Sequence, residues 1–445
     1  MKVKTITRTA ETCQRERKSD LFIVKHNPDP ALHPLQRARE YVRAVNAAKL
    51  DRMFAKPLVA ALSGHRDGIY CMNRHPTRLT TVASGSADGE LRLWDLSDQR
   101  CSWTRSDAHD GFVRGVAFLP NSHHVLSCGD DKVVRLWDYS APGAKTMALS
   151  SYQSKGTLTA IDCHPDGLRF ATSGSEGVAV WDRTRQEALK DFSWGADTVS
   201  SLRFNPAEAS LLASCASDRS LQLHDLRTAT TPAKIILALC SNAVAWNPQE
   251  AVYLSAANED GNVYTFDMRY FDRAVNIMRG HVSAVIDLDY SPTGMEIATA
   301  GYDRTLRLFD VRAGHSRDVY YGIRMQRLFC VRFSMDSKYV LSGSDDGNLR
   351  IWKAHASEQL GIKNHRQQAA LDYNARLLEK HKQMPEVRRI ANHRRLPKSI
   401  KAHARHDHEH RMSQQRKEEN LRRHSKPGSV PKPNIRDQAI LQVKK

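Results

Sequence analysis

The residues that could carry chemistry are few, and most are histidines near the C-terminus. His403, His406, His408 and His410 lie close together, and His406 and His410 are four residues apart, which places two imidazoles on one face of a helix. A structural or catalytic metal needs further ligands, yet neither a cysteine nor a fixed carboxylate shell accompanies them in the sequence. We therefore predict that this run binds no metal.

Sequence motifs of catalysis are also missing. The chain has no phosphate-binding P-loop, no nucleophile elbow and no H-E-x-x-H helix. Its 8 cysteines form no C-x-x-C pair, and several lie in apolar, strand-like runs, which is typical of reduced thiols in a cytosolic or nuclear protein. We predict a protein that is not an enzyme, with no cofactor and no small-molecule substrate.

Basic residues are abundant and unevenly distributed. The 445-residue chain has a formal net charge of +18, of which residues 1–56 contribute +7, residues 354–445 contribute +13 and residues 57–353 contribute −2. This segregation predicts two basic extensions that meet RNA or an acidic partner, although the same clusters would suit nuclear import. The candidate binding residues are Arg388, Arg389, Arg394, Arg395, Lys398, Arg416, Lys417, Arg422, Arg423 and Lys426.

The nearly neutral middle of the chain is repetitive. An ending of the general form apolar-x-apolar-aromatic-Asp recurs, with its aromatic position 42 to 44 residues after the previous one. These positions are Trp94, Trp137, Trp181, His224, Phe266, Phe309 and Trp352. Polar turns separate alternating apolar runs inside each unit, so every unit offers about four short strands and no helical period.

These units resemble the WD40 repeat family, whose members fold as β-propellers with four-stranded blades. The likeness implies an all-β, seven-bladed WD40 β-propeller with basic, mainly helical and extended N- and C-terminal extensions. Trp352 would end the third strand of the last blade, so we expect the apolar run Leu58–Leu62 to supply its missing outer strand. The predicted domains are an N-terminal extension over 1–56, the propeller over 57–353 and a C-terminal extension over 354–445.

In the WD40 family a His, a Ser or Thr, a turn Asp and a Trp form a hydrogen-bonded tetrad that fixes each blade. The resemblance implies two complete tetrads here. They are His65, Ser84, Asp88 and Trp94 in blade one, and His109, Ser127, Asp131 and Trp137 in blade two. Blades four to six carry His224, Phe266 and Phe309 at the tryptophan position, so their tetrads must be incomplete.

The C-terminal extension contains three predicted helices, divided by Pro385 and Pro397. They cover residues 357–381, residues 386–395 and a third segment, capped by Ser399, that runs toward residue 423. The third helix is too poor in large apolar residues to bury itself against a core of its own. The proline-rich residues 425–433 beyond it are expected to be extended, and the isolated tail largely disordered.

The N-terminal extension contains a proline-rich stretch over 27–34, which must be extended, and then a predicted helix over Leu35–Phe54. Tyr41, Val42, Val45 and Ala48 are expected to lie on one side of this helix. That side should pack against the propeller or a neighbouring protein. Residues 1–10 lack an apolar signal region, and the longest weakly polar run, 235–246, is too short for a bilayer, so we expect neither secretion nor a membrane span.

The two extensions also look like those of the Sof-one family of nucleolar WD-repeat proteins. The segments that carry this likeness are residues 29–34, 54–57, 394–400 and 424–431, whereas the histidine-rich residues 401–411 depart from it. The resemblance implies a scaffold of the small-subunit processome in the nucleus and nucleolus, needed for 18S pre-rRNA processing and small ribosomal subunit biogenesis. Its implied partners are pre-rRNA, the box C/D guide RNA particle and other processome proteins.

A second function stays open. Some propellers that dock on the adaptor of the cullin-four ubiquitin ligase carry a WD-x-R ending, and similar endings here place Arg227, Arg269 and Arg312 after the third strands of blades four, five and six. If the chain is a substrate receptor of that ligase, these arginines are the expected adaptor contacts. An arginine at this position is equally consistent with ordinary chemistry at a blade edge.

Overall fold

The computed structural model describes residues 35–140, 147–192, 197–228, 230–426, 428–430, 434 and 436–444. The predicted extended segment 27–34 lies outside these residues, as do residues 427 and 431–433 of the predicted extended segment 425–433. The described part of the second segment is not fully extended, because the Ser429 N–H donates to the backbone oxygen of Lys426 at 3.0 Å in a turn. The chain forms two compact units. One combines the described residues up to Ala55 with Gln359–His393, and the other combines Lys56–Glu358 with Arg394 to the end of the described chain. Parts of both extensions thus share one unit, whereas the changes in sequence composition had marked each extension as a separate segment.

Seven antiparallel sheets form the ring of the second unit, so the predicted seven-bladed β-propeller is confirmed. Within the blades, strands that follow one another in the chain are paired, and the innermost strands of successive blades contact one another around the whole ring. Each aromatic position of the repeat is the second-last residue of the third strand of its blade. Blade one comprises β2 (Ile69–Arg74), β3 (Thr81–Ser86), β4 (Leu91–Asp95) and β5 (Arg100–Arg105).

The next four blades repeat this arrangement. Blade two comprises β6 (Val113–Phe118), β7 (His124–Gly129), β8 (Val133–Asp138) and β9 (Ser150–Gln153). Blade three comprises β10 (Leu158–Cys163), β11 (Arg169–Gly174), β12 (Gly177–Asp182) and β13 (Ala188–Phe192). Blade four comprises β14 (Val199–Phe204), β15 (Leu211–Ala216), β16 (Ser220–Asp225) and β17 (Thr230–Leu237). Blade five comprises β18 (Ser241–Trp246), β19 (Tyr253–Asn258), β20 (Asn262–Asp267) and β21 (Asn276–Arg279).

The last blade is completed by the first strand of the chain. Blade six comprises β22 (Val285–Tyr290), β23 (Glu296–Gly301), β24 (Leu306–Asp310) and β25 (Ser316–Tyr320). Blade seven comprises β26 (Leu328–Phe333), β27 (Tyr339–Ser344), β28 (Asn348–Lys353) and, as its outer strand, β1 (Leu58–Ser63). β1 pairs antiparallel with β28, as the strand count predicted.

The second strands of the blades are buried because they pack between neighbouring sheets. In β3, every residue from Val82 to Ser86 is buried. Gly85 shows why small residues occur there: a Cβ atom at this position would lie 2.6 Å from both Cys71 Sγ and Val113 Cγ1. The hydrophobic clusters accordingly join neighbouring blades, as one spans blades one and two and another spans blades seven and one.

In blade two the structure brings together all four expected tetrad members. The imidazole of His109 lies 3.0 Å from the Asp131 carboxylate through Nδ1 and 2.6 Å from Ser127 Oγ through Nε2. Trp137 Nε1 donates to the same hydroxyl at 2.8 Å. Each of these buried polar groups therefore has a partner, which links the entry loop of the blade to its second and third strands.

In blade one the histidine of the tetrad bonds Glu90, whereas the sequence predicted Asp88. His65 and Trp94 both bond Ser84 Oγ, at 2.6 and 2.7 Å, but His65 Nδ1 donates to Glu90 Oε2 at 3.1 Å and not to Asp88. Asp88 is exposed and accepts the backbone N–H of Glu90 in the turn. The longer glutamate side chain reaches the imidazole from two positions further along the chain, and Arg92 holds it at 2.7 Å.

Blades four to six lack the tryptophan donor, as expected, and blades four and five use another side chain in its place. In blade four His224 Nε2 bonds Ser214 Oγ at 2.8 Å. In blade five the hydroxyl of Tyr290, from the next blade, lies 2.6 Å from Ser255 Oγ. Blade six keeps three members, with His281 bonded to Thr299 at 2.7 Å and to the Asp303 carboxylate at 3.2 Å.

In the described residues, four helices precede or follow the propeller strands in sequence. They are α1 (Gln36–Met53), α2 (His365–Lys380), α3 (Pro385–Ala391) and α4 (Lys398–His424). The sequence predicted all four, but α2 begins eight residues later than expected, and α4 begins at Lys398 without a side-chain cap from Ser399. Within the described part of the chain, none of these helices is long and apolar enough to span a bilayer.

Candidate nucleic-acid interface

The longest basic element is α4, a helix of 27 residues. Pro397 precedes it and has no backbone N–H to lose at a helix start. Ile400 in its first turn is buried, whereas the residues from Lys401 to Leu421 are all exposed. Such a helix gains little from packing along its length, so its first turn and the chain beyond its end must fix its position.

The chain beyond α4 returns to the propeller. Strand β29 (Ile440–Lys444) pairs antiparallel with β17 and makes blade four a five-stranded sheet. Ile440 and Val443 pack partly buried against the apolar cluster of blades four and five. Sequence reasoning missed this strand. The available signal was a short apolar run with two β-branched residues after the prolines, but nothing in it names the partner strand.

The candidate binding residues differ in their surroundings. Two of them are partly buried: Arg394 donates to the backbone oxygen of Arg317, and Arg422 pairs with Glu418 at 3.1 Å one turn earlier in α4. The remaining eight are exposed, namely Arg388, Arg389, Arg395, Lys398, Arg416, Lys417, Arg423 and Lys426.

The candidate residues are also divided between the two units. Arg388 and Arg389 lie on α3 and belong to the unit formed with α1, whereas Arg394 and the later residues belong to the propeller unit. The ten residues therefore do not form one patch within a single unit. The six candidates on α4 or directly after it are the largest group that one unit carries.

Helix α1 packs within its own unit, against α2 and α3 of the C-terminal extension. Ala44, Val45 and Ala48 of α1 form a buried cluster with Leu377 and Val387. The expected partner, a propeller blade or another protein, was therefore wrong for this face. Val42, expected on the same face, is instead 55% exposed, because it lies outside the stripe that meets α2 and α3.

Polar contacts at the rim of this three-helix cluster join α1 to the other two helices. Lys380 of α2 donates to Glu40 of α1 at 2.7 Å, and this hydrogen bond lowers the pKa of Glu40. Arg52 at the other end of α1 donates to the backbone oxygen of Ala391 at 2.5 Å. These contacts fix the register of the helices, but the exposed pair contributes little to stability.

The arginines of the WD-x-R-like endings are exposed at equivalent places in three consecutive blades. Arg227 and Arg269 fold back on the aspartate two residues earlier, with N–O distances of 3.4 Å to Asp225 and 2.9 Å to Asp267. Arg312 is exposed after β24. Each guanidinium therefore keeps donor groups directed to solvent, at which a second molecule can bind.

The histidine pair on α4 makes a ring contact, and His406 Nδ1 also lies 3.9 Å from Asp407 Oδ1. His406 and His410 stack with their ring centroids 6.5 Å apart. Elsewhere in the described chain, His65, Asp88 and Glu90 bring three potential ligand atoms within 4.8 Å of one another. The Glu90 carboxylate already contacts both His65 and Arg92. These three potential ligands are therefore explained by the tetrad of blade one.

The fold and the appended helix define the class: a WD-repeat propeller with a basic C-terminal extension. The WD domain, G-beta repeat model matches residues 56–95, 100–138, 273–310 and 313–353, and the Sof1-like domain model matches residues 354–440. The chain belongs to the Sof1-like family of WD-repeat proteins.

Curated relatives match over nearly their whole length. The Xenopus laevis protein named DDB1- and CUL4-associated factor 13 is 48% identical, and the Homo sapiens protein of that name is 46% identical, each with 100% of both chains covered. Protein SOF1 of Saccharomyces cerevisiae is 41% identical over 90% of this chain and 87% of its own.

Proposed function

We propose that the protein is a non-catalytic scaffold of the small-subunit processome, which acts in the nucleus and nucleolus in 18S pre-rRNA processing. The propeller supplies a rigid ring for protein neighbours, and the basic extension binds pre-rRNA beside the box C/D guide RNA particle. Membership of the Sof1-like family and the likeness to Protein SOF1 support this proposal. The surface of α4 supports the RNA-binding part.

The observation that carries the proposal is the exposure of α4 together with its anchorage. The helix has eight Lys or Arg against four Asp or Glu, and every residue from Lys401 to Leu421 is exposed. Buried Ile400 fixes the first end of α4. Beyond its second end, the pairing of β29 with β17 returns the chain to blade four. A basic rod held in this way presents its charges to a phosphate backbone with less ordering cost than a free tail.

The RNA contact predicts a strong dependence on salt. If about six basic side chains meet phosphates of single-stranded RNA, the affinity should fall roughly 300-fold between about 50 and 200 mM salt. Replacing Arg416, Lys417, Arg423 and Lys426 by glutamine should lower the slope of log K against log salt by about 3. Fluorescence anisotropy with a labelled fragment of pre-rRNA measures both values.

A matched control tests whether a change in RNA affinity comes from the α4 contact or only from the lower net charge of the protein. Arg100, Arg169, Arg185 and Lys338 are equally exposed but lie on the propeller, so their replacement by glutamine removes the same charge elsewhere. We expect that variant to keep the salt slope within about 1 of the parent. Equal slopes for the two variants, or normal co-sedimentation of the α4 variant with pre-ribosomes in cells, would contradict the proposal.

A second function has its own support, and we propose it beside the first: binding to the adaptor of a cullin-four ubiquitin ligase. The relatives from Xenopus laevis and Homo sapiens carry the name DDB1- and CUL4-associated factor 13, and Arg227, Arg269 and Arg312 are exposed at equivalent places on neighbouring blades. Replacing Arg269 and Arg312 by alanine should weaken binding to purified DDB1 at least tenfold, because interface arginines are often energetic hot spots.

The control for this contact is Arg185→Ala, which removes an exposed arginine shortly after the third strand of blade three. It should leave adaptor binding unchanged in the same surface-plasmon-resonance measurement. Equal binding by the control and by the double variant would exclude these arginines as adaptor contacts. Loss of adaptor binding with normal RNA affinity would show that the two functions use separate surfaces.

A further inference from the structure

Three aromatic rings meet at one mouth of the central channel of the propeller. Tyr70 is the second residue of β2, Phe329 is the second residue of β26, and Phe112 directly precedes β6, so blades one, seven and two contribute one ring each. The rings of Tyr70 and Phe329 stack with centroids 4.3 Å apart, and Phe112 lies 5.2 Å from Tyr70. All three, called the aromatic triad below, are partly exposed.

The channel behind the triad is narrow, and its charges are already paired. Two members of the triad line a cavity of about 190 Å³ between the innermost strands. Deeper in this cavity Arg332 pairs with Asp287 at 3.0 Å, and Arg203 lies 3.5 Å from Asp162. Because the charges of these arginines are already balanced by carboxylates, they offer little to a ligand inside the channel. A ligand would therefore make its specific contacts at the mouth.

One cation already lies on the triad. The guanidinium carbon of Arg114 is 4.7 Å from the ring centroid of Phe112 and 5.7 Å from that of Tyr70. Two hydrogen bonds to Asp130, of 2.9 and 3.1 Å, hold it there. The face of an aromatic ring attracts guanidinium and ammonium groups, so this contact shows the kind of group that the exposed ring surface accepts.

Two carboxylates lie within electrostatic range of the Tyr70 hydroxyl. Asp67 and Asp345 are exposed, and the charge of each acts on the Tyr70 hydroxyl. Burial raises the pKa of Tyr70, and Asp345 and Asp67 raise it further, whereas Arg114 opposes them. The exposed Arg327 lies 4.3 Å over the ring of Tyr302 and so already has an aromatic partner. Carboxylates beside the ring repel phosphates and attract cations, which favours a basic peptide over nucleic acid.

We propose that the aromatic triad, with Asp67 and Asp345, binds an arginine- or lysine-bearing segment of a partner protein. The cationic side chain lies on the exposed ring surface of the triad, and the two carboxylates accept its N–H groups. This surface is separate from α4, so the protein would hold RNA with its basic extension and a basic protein segment with the mouth of its ring. The inference goes beyond the RNA-binding and adaptor-binding proposals and does not depend on them.

The test uses the full chain and a fluorescein-labelled peptide of arginine, glycine and serine, with anisotropy as the readout. Tyr70→Ala should weaken peptide binding about tenfold through loss of the desolvated cation–π contact. Tyr70→Phe should retain most of the affinity because the ring is kept. Asp67→Asn with Asp345→Asn should weaken binding about fivefold, and these surface changes keep an acceptor for the Gly68 N–H that Asp67 binds at 2.7 Å.

Two matched controls remove the same groups elsewhere. Tyr270→Ala removes an exposed tyrosine that also carries an arginine over its ring, and Asp98→Asn with Glu187→Gln removes two exposed carboxylates. Both controls should bind the peptide like the parent. If Tyr70→Ala and the Asp67→Asn, Asp345→Asn double variant bind the peptide as tightly as the controls, the proposal is wrong. So would a labelled single-stranded RNA that loses affinity on Tyr70→Ala while the arginine peptide does not.

Discussion

Replacing Asp303 by alanine is expected to lower the free energy of unfolding by about 3–5 kcal/mol, because it leaves buried cationic and imidazole groups without their partner. The Asp303 carboxylate bonds His281 at 3.2 Å and Thr305 Oγ1 at 2.7 Å, and it lies 3.7 Å from Arg307. Its side chain is only 3% exposed. Despite burial, His281 and Arg307 hold the pKa of Asp303 well below its usual value.

The matched control is Asp88→Ala, the change at the equivalent turn position of blade one. Asp88 is exposed and accepts a backbone N–H at 3.1 Å, whereas Glu90 takes the carboxylate role in that blade. Its loss should cost about 1 kcal/mol or less. Urea unfolding of the two variants measures the contrast, and similar losses in both would show that the turn position itself, and not burial of the carboxylate, sets the cost.

The second large effect is a dependence of stability on pH that originates at His224. Burial lowers the pKa of His224 to about 4, whereas an imidazole in the unfolded chain titrates near the ordinary 6.5. The unfolded state therefore binds more protons between these two values. The stability that His224 contributes is fully present above about pH 6.5, and it is lost at about 1.4 kcal/mol per pH unit as the pH falls toward 4.

His224→Phe should remove this dependence on pH because phenylalanine has no titratable group. The side chain should fit, since phenylalanine occupies the same position in blades five and six. Near neutral pH the variant should lose about 1–2 kcal/mol, because Ser214 loses its partner at 2.8 Å. Between about pH 6.5 and 4.5 the stability of the variant should change by about 2 kcal/mol less than that of the parent. Ser214→Ala is the control that keeps the imidazole and hence the slope. If urea unfolding gives the parent and His224→Phe the same change in free energy of unfolding per pH unit, His224 is not the origin of the pH dependence.

The fold could be predicted from the sequence because the propeller repeats one local pattern. Each third strand ends with an aromatic residue at nearly constant spacing, and the count of such endings fixed the number of blades and the need for β1. The tetrad of blade one was assigned to the wrong carboxylate for a physical reason. Asp88 and Glu90 lie in the same turn, and only the folded backbone determines which carboxylate reaches the imidazole of His65.

Long-range partners were harder to predict. The apolar face of α1 indicated that the helix is covered, but α2 and α3 follow it by some 300 residues, and no local pattern links them to it. The pairing of β29 with β17 could not be predicted from local sequence either, because an edge strand can pair through its backbone with any suitable segment. The exposure of α4 was predictable, since its sequence is too polar to form a buried face.

Closure of the ring by β1 also constrains how the chain can be synthesised. β1 leaves the ribosome before any blade, yet β28, its partner, is made only after the other six blades. A nascent chain therefore carries an unpaired strand through almost the entire translation of the ring, and a product that stops early leaves it without a partner. The ring can therefore close only when translation has passed residue 353, and the strand β29 that extends blade four is added later still.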